Sequence, residues 1–351
     1  MSYDLTIEPI GQTLALEDGQ TILDAALRAG IHLPHACGQG YCGTCKVRIV
    51  DGTVDHGNAS NFALMDYERE EGLALACCAT LEEDTTVEAE VEVDADERSI
   101  PVRDFTGRVV GLDDLTPTIK AVRLSLDQPL DFQAGQYVNL ELPGGIGTRA
   151  FSLANPPSGA TEIELNIRLV PGGVGTSWIH RQLAVGDAIG LSGPYGRFFV
   201  RKSADMPMIF LAGGSGLSSP RAMILDLVET GSSLPITLVY GARNRAELYY
   251  HADFLELAAR HGNFTYVPTL SDEPTASDWA GRRQFVHEAA RDHFGNDFRG
   301  HKAYLCGPPM MIEASISTLM QGRLFERDIY TEKFFSAADA QQVRSPLFKR
   351  V

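Results

Sequence analysis

No stretch of this chain approaches the roughly 20 consecutive apolar residues that a bilayer-spanning helix requires, and its first residues form no apolar leader. A soluble, cytoplasmic protein with no membrane association is therefore expected. Cysteine is scarce, six in 351 residues, which is too few for a disulfide framework in a chain of this size. Basic residues are also in deficit: 30 Lys and Arg against 46 Asp and Glu leave a net charge of −16, which argues against nucleic acid as a partner. The 44% apolar content is enough for packed cores, and the length predicts two or three domains.

The acidity is concentrated. Residues 1–100 contain 20 acidic and 5 basic side chains, net −15, whereas the remaining 251 are almost neutral at −1. Charge gathered on one domain can steer it onto a basic partner surface, although a merely solvated face would look the same in sequence.

The few cysteines fall in that acidic region. Cys37, Cys42 and Cys45 stand as C-x4-C-x2-C, and the adjacent Cys77 and Cys78 follow after a long gap. This order is the spacing of a plant-type [2Fe-2S] cluster held by four thiolates. Zinc would call for two close Cys pairs, or a Cys pair and a His pair, but here the first three thiols share one loop. Gly38, Gly40 and Gly43 punctuate that loop and let backbone N–H groups approach anionic sulfur. Cys37, Cys42 and Cys45 are thus candidate ligands, with Cys77 or Cys78 as the fourth.

Around the cysteines, residues 5–7 and 13–16 read as a hairpin across Ile10-Gly11-Gln12, and Thr21 with Asp24 opens a helix that stops at Gly30. Residues 87–93 alternate as a strand with one buried face, and 94–99 read as a linker. Between about 105 and 200, short strands at 109–110, 121–124, 137–140 and 163–167 are separated by Gly and Pro, predicting an antiparallel β-barrel. From about 206 onward strands alternate with helices, the pattern of a parallel α/β domain, with strands at 208–212, 236–240, 264–267, 303–306 and 328–330. The expected domains are 1–95, 103–203 and 206–335, with a tail over 336–351.

Four motifs punctuate these domains. Arg149-Ala150-Phe151-Ser152 sets a cation, an aromatic face and a hydroxyl within four residues, although on a regular strand Ser152 faces away from the other two. Gly172-Gly173-Val174-Gly175-Thr176-Ser177 feeds an apolar-periodic segment at 178–183, so it is either an anion site at a helix N-terminus or a plain tight turn. Gly213-Gly214-Ser215-Gly216-Leu217 and Cys306-Gly307-Pro308-Pro309-Met310 lie at the carboxyl ends of predicted strands, where parallel sheets bind ligands. The first of these is not a strict G-x-G-x-x-G.

In this order, spanning nearly the whole chain, the motifs resemble the ferredoxin–NAD(P)H reductase superfamily with a fused N-terminal ferredoxin. Residues 21–30, 149–157, 303–310 and Glu332-Lys333-Phe334 are similar to the reductase components of bacterial multicomponent phenol hydroxylases. Reductases of toluene and methane monooxygenases and of benzoate dioxygenases share the architecture. The resemblance implies a β-grasp ferredoxin, an antiparallel FAD-binding barrel and a parallel nicotinamide-binding α/β domain. It implies an enzyme, an NADH:acceptor oxidoreductase, in which electrons run from NADH through FAD and the [2Fe-2S] cluster to the diiron oxygenase component of a phenol hydroxylase in aromatic catabolism.

The resemblance also implies residue roles. Leu75-Ala76-Cys77-Cys78-Ala79 matches the family pattern at its first Cys, making Cys77 the fourth ligand and Cys78 a small buried filler. Arg149 would neutralise the FAD pyrophosphate, with Ala150 in the same stretch, Phe151 would pack on the isoalloxazine or its ribityl chain and Ser152 would bond near flavin N5. Arg168, Gly173, Gly175, Thr176 and Ser177 would complete the phosphate site. Gly213, Gly214 and Gly216 would admit the dinucleotide, Cys306 and Gly307 would border the nicotinamide, and Phe334 or Phe335 would cover the flavin. Ser152, Cys306 and Phe335 are then the expected catalytic residues. Arg243 and Arg245 suit the 2′-phosphate of NADPH, while the resemblance favours NADH, which is the expected donor. An iron–sulfur redox sensor would instead have degenerate flavin and nicotinamide sites, and a diaphorase would reduce a small soluble acceptor.

Overall fold

The first helix begins at Thr21 because its hydroxyl accepts the Asp24 N–H at 3.2 Å, and the chain leaves it through Gly30 at φ 78°. The structure, a computed structural model, describes residues 2–35, 38–91, 94–158 and 161–334. The expected ligand Cys37, the expected flavin cover Phe335 and the tail 336–351 lie outside the described residues. The described chain forms two units, one through Arg103 and the other from Asp104. Among the described residues no helix is long and apolar enough to cross a membrane.

The first unit is built on a mixed five-stranded sheet. Strands β1 (Tyr3–Glu8), β2 (Gln12–Leu16) and β3 (Lys46–Asp51) are followed by β4 (Val54–Asp55), β5 (Leu73–Leu75), β6 (Thr80–Leu81) and β7 (Thr85–Glu88). The sheet order is β2-β1-β7-β3-β5, with β4 and β6 paired separately. The predicted hairpin is the antiparallel β1–β2 pair, and β1 also runs parallel to β7, so Leu5, Ile7 and Val87 alternate into the core. Helix α1 (Ile22–Arg28) buries Ile22, Leu23, Ala25, Ala26 and Leu27, and a short helix α2 (Asp66–Glu70) lies beyond β4 in the chain. This is the β-grasp arrangement. The last strand ends at Glu88, early in the predicted 87–93 run, of which 92 and 93 lie outside the described residues, although the Ala89 N–H still donates to the Glu8 carbonyl at 2.9 Å. The segment read as a linker packs on this unit. The Ser99 hydroxyl donates to the Gly30 carbonyl at 2.6 Å, and Ile100 and Val102 are buried.

The second unit opens with six antiparallel strands, β8 (Arg103–Asp114), β9 (Ile119–Leu126), β10 (Tyr137–Leu142), β11 (Gly147–Ser152), β12 (Glu162–Arg168) and β13 (Ala188–Tyr195), ordered β11-β10-β13-β8-β9-β12. A Leu153–Leu165 bridge joins the two ends, and alternate side chains such as Val109, Leu124, Leu140 and Leu165 fill the barrel. Helix α3 (Val174–Arg181) follows β12.

A parallel sheet completes the unit, with β14 (Met208–Gly213), β15 (Ile236–Ala242), β16 (Phe264–Leu270), β17 (Lys302–Gly307) and β18 (Ile329–Lys333) in the order β16-β15-β14-β17-β18. Its helices are α4 (Ser218–Glu229), α5 (His251–Arg260), α6 (Val286–Phe294) and α7 (Pro309–Gln321). All six residues of β14 and all seven of β15 are buried, as strands covered on both faces must be. The strand order reverses between β14 and β17, which creates the crevice where such sheets bind ligands. Barrel residues Ile119, Ala134, Phe198 and Val200 share one core with Phe210, Tyr240 and Tyr304 of the sheet.

Candidate functional site

Three constellations carry chemistry. The first is the cysteine loop, whose Gly38, Gly40 and Gly43 all adopt left-handed φ of 61°, 79° and 72°. A Cβ on Gly40 would come within 2.7 Å of Cys78 Sγ, so the loop closes directly over the 77–78 segment. Cys45 is buried and hydrogen-bonded to Cys77. Cys77 is held below the usual thiol range, first by that bond and then by the Cys78 thiol and the Gly40 N–H, against the opposing effect of burial. Burial and the Cys77 charge push Cys78 the other way, to about 12. The neighbouring thiols are thus chemically distinct: one accepts hydrogen bonds as an anion, and the other packs under a glycine. Among the described residues no group of three His, Cys, Asp or Glu has metal-binding geometry, and Cys37 lies outside them. Soft sulfur donors with a backbone N–H aimed at one of them fit an iron–sulfur group.

The second constellation is on the barrel. Arg149 and Ala150 are exposed on β11, Phe151 is half-buried and Ser152 is 7% exposed. Helix α3 starts at Val174, earlier than the 178–183 periodicity indicated, so Gly175, Thr176 and Ser177 lie in its first turn. Its N-cap, Gly173, has no side chain to accept the first N–H groups, which leaves them for a ligand. Arg149 leans on this turn: a Cβ on Gly175 would stand 3.2 Å from Arg149 Cγ and 3.4 Å from Nε. The Thr176 hydroxyl accepts the Val170 N–H at 3.0 Å, and Arg168 ends β12. Beside the turn lies a cavity of about 340 Å³ bordered by Ile146, Ser177, Trp178 and Arg181. A guanidinium facing an uncapped helix N-terminus suits a diphosphate.

The third lies where the sheet reverses. Register pairs Ala212 with Cys306 and Cys306 with Glu332 on three adjacent strands, β14, β17 and β18. Glu332 Oε2 accepts from the Ser219 hydroxyl at 2.6 Å, the Ser152 hydroxyl at 3.2 Å and the Cys306 thiol at 3.4 Å. Two of the predicted catalytic residues, Ser152 on the barrel and Cys306 on the sheet, are therefore joined through a carboxylate to which the sequence reading gave no role. Burial pushes the Glu332 carboxyl up, opposed by these three donors, and burial with the Glu332 charge pushes the Cys306 thiol well up. Cys306 is therefore a neutral hydrogen-bond donor at neutral pH.

The glycine loops make this closeness possible. A Cβ on Gly216 would collide with the Cys306 carbonyl at 2.4 Å, and one on Gly213 with Met311 Sδ at 2.4 Å. Gly214, at φ 55°, has open space in front of it. The Phe334 N–H donates to the Gly307 carbonyl at 3.1 Å. Arg221, also missed in the sequence, donates to the Ala154 carbonyl at 2.5 Å and pairs with Glu164 at 3.4 Å, tying α4 to the barrel.

Comparison with known proteins agrees with this geometry. Residues 5–82 match the 2Fe-2S iron-sulfur cluster binding domain, 107–200 the oxidoreductase FAD-binding domain and 210–316 the oxidoreductase NAD-binding domain. The chain is 60% identical, over 100% of both sequences, to the phenol 2-monooxygenase reductase component DmpP of Pseudomonas sp. (strain CF600). It is 56% identical, again over 100% of both, to the phenol hydroxylase P5 protein of Acinetobacter pittii (strain PHEA-2). Among solved structures it resembles the Amycolatopsis reductase GcoB with a TM-score of 0.86 and 38% identity, covering 95% of this chain and 98% of that one. The chain therefore carries a [2Fe-2S] cluster, FAD and a nicotinamide dinucleotide as cofactors.

Proposed function

The chain belongs to the family of phenol hydroxylase reductase components, and from that premise we propose that it takes electrons from NADH and delivers them singly to the diiron oxygenase component of a phenol-hydroxylating system in the cytoplasm. When bound, FAD divides the two electrons of a hydride into the single electrons that a [2Fe-2S] cluster can carry. The protein supplies alignment and charge.

Cys37, Cys42, Cys45 and Cys77 hold the cluster. The choice of Cys77 over Cys78 is supported by its depressed pKa and by the packing of Cys78 under Gly40. Arg149, Arg168 and the first turn of α3, with Gly173, Gly175, Thr176 and Ser177, hold the FAD diphosphate, while Ala150 and Phe151 line the approach. Gly213, Gly214, Gly216 and Gly307 keep the crevice open to the dinucleotide. Ser152, Cys306 and Glu332 border the point of hydride transfer, Glu332 by fixing the two donors in place. Phe335 retains its proposed role as flavin cover.

The observation that carries this reading is the Ser152–Glu332–Cys306 bridge between the flavin barrel and the nucleotide sheet, on a chain that also bears C-x4-C-x2-C. Docking is supported by the net −15 of residues 1–100 and by Phe62, 95% exposed and three residues before Met65, the N-cap that opens acidic α2. An apolar anchor in an acidic rim fits a partner surface with an apolar pocket among Lys and Arg. The test is NADH-driven phenol hydroxylation with the oxygenase present. Cys77→Ser should abolish hydroxylation and the cluster absorbance while flavin reduction by NADH persists, and Cys78→Ser should retain both. Hydroxylation at the native rate by Cys77→Ser would refute the relay.

A further inference from the structure

The loop after β15 decides which dinucleotide can enter. In this class of sheet the segment behind the second strand meets the adenosine ribose, and here it carries Arg243 and Arg245, the side chains that would attract a 2′-phosphate. Both are already engaged. Glu247 Oε1 lies 3.7 Å from Arg243 Nη2, while its Oε2 accepts the hydroxyls of Thr116 at 3.1 Å and Thr118 at 2.6 Å from the barrel. That carboxylate is 14% exposed and cannot swing away without breaking three contacts. Arg245 Nη1 donates to Asp278, and the Arg245 backbone N–H donates to Glu273 Oε2 at 2.9 Å.

These partners are brought together by the sheet. The Ser271 N–H donates to the Ala242 carbonyl at 3.0 Å and the Asp272 N–H to the Arg243 carbonyl at 2.7 Å, so the loop after β16 is laced along the loop after β15. Arg283 donates to the carbonyl and hydroxyl of Ser277 and Arg282 to Gln284 at 3.4 Å, so these hydrogen bonds go to neutral groups and leave Glu273 and Asp278 to Arg245. An exposed ion pair such as Arg245–Asp278 contributes little to stability. Its effect on an incoming phosphate is larger, because a group bearing about −1.5 to −2 must displace one carboxylate and settle among several. A ribose 2′-hydroxyl carries no charge and can donate to the same carboxylates.

We propose that Glu247, Glu273 and Asp278 make the chain selective for NADH by pre-empting Arg243 and Arg245 and repelling a 2′-phosphate. The inference rests on the reading of the chain as a nicotinamide-dependent reductase and adds the residues that choose between the two donors. It is tested with the full-length, cofactor-loaded protein by measuring kcat/KM for NADPH and NADH in wild type and in the Glu273→Gln/Asp278→Asn double variant. Asp278 is exposed and Glu273→Gln keeps an acceptor for the Arg245 N–H, and the thermal midpoint of the loaded protein controls for folding. The NADPH:NADH ratio should rise about tenfold, through a lower KM for NADPH, and 2′,5′-ADP should become a correspondingly tighter inhibitor. Adding Arg245→Ala should cancel the gain. A ratio that moves less than about twofold, a gain that survives Arg245→Ala, or a wild type that uses NADPH as well as NADH would each overturn the proposal. NADH-driven delivery of electrons to the oxygenase, measured on the same preparations, reports separately on the underlying function.

Discussion

Replacing Glu332 with glutamine keeps the size of the side chain but removes the one acceptor on which two hydroxyls and a thiol converge. Ser219 at 2.6 Å is the shortest of these contacts, and the amide oxygen can retain it. Ser152 at 3.2 Å and Cys306 at 3.4 Å would then compete for what remains, and an amide NH2 turned towards them adds donor to donor. A hydrogen bond to a charged group contributes about 1.5–3 kcal/mol, and bonds of this length fall at the lower end. Losing that alignment on both sides of the transfer point should slow flavin reduction by NADH about 10- to 100-fold. The assay is anaerobic stopped-flow bleaching of the flavin at saturating NADH, with flavin content and thermal midpoint as controls for folding. Electron transfer from flavin to cluster should be unaffected. A reduction rate within about twofold of wild type, in a variant that retains flavin, would refute the positioning role.

The same carboxyl makes stability depend on pH. Its folded pKa lies above the ordinary 4.5, so the native state binds its proton more tightly, and the associated stability is present below 4.5 and lost as pH rises through the raised value. Chemical denaturation across that window should show Glu332→Gln losing less stability with rising pH than wild type. Tyr304, fully buried, stacks on Phe210 and on Tyr330 at 5.2 Å each and accepts the Arg201 N–H at 2.9 Å. Tyr304→Phe should cost about 1–3 kcal/mol by leaving that N–H unpaired, and Tyr304→Ala about 3–5 kcal/mol, both read from urea midpoints of the flavin-loaded protein. Turnover with the oxygenase at subsaturating reductase should fall as salt shortens the Debye length below about 10 Å, whereas flavin reduction by NADH should barely change.

Most of the scaffold was legible because local signals and tertiary demands agree. The β1–β2 hairpin, α1 with its Thr21 cap and the continuous apolar β14 follow from alternation, capping and burial on both faces. Strand β13 was not read from sequence, because Gly190, Gly193 and Pro194 within it look like turn residues and are held instead by pairing with β10. Helix α3 was read too late, since glycine at 173 and 175 masks a helix start that Arg149 needs for close approach. Glu332 carries no local signal of its own beyond a family-like Glu332-Lys333-Phe334. Its three partners lie 26 to 180 residues away in sequence, and no local pattern encodes such a meeting. Likewise Arg245 looked like a phosphate ligand until the fold brought Asp278, 33 residues on, against it.

The central claim is an ordered relay, from the nicotinamide crevice through the flavin barrel to the cysteine loop. Its most direct test is rapid-freeze EPR of the anaerobic protein mixed with NADH, in flavin-replete and flavin-stripped forms. The account predicts a reduced-cluster signal that appears only in the flavin-replete protein and only after the flavin absorbance has begun to fall. A cluster reduced by NADH at the same rate without flavin would contradict it.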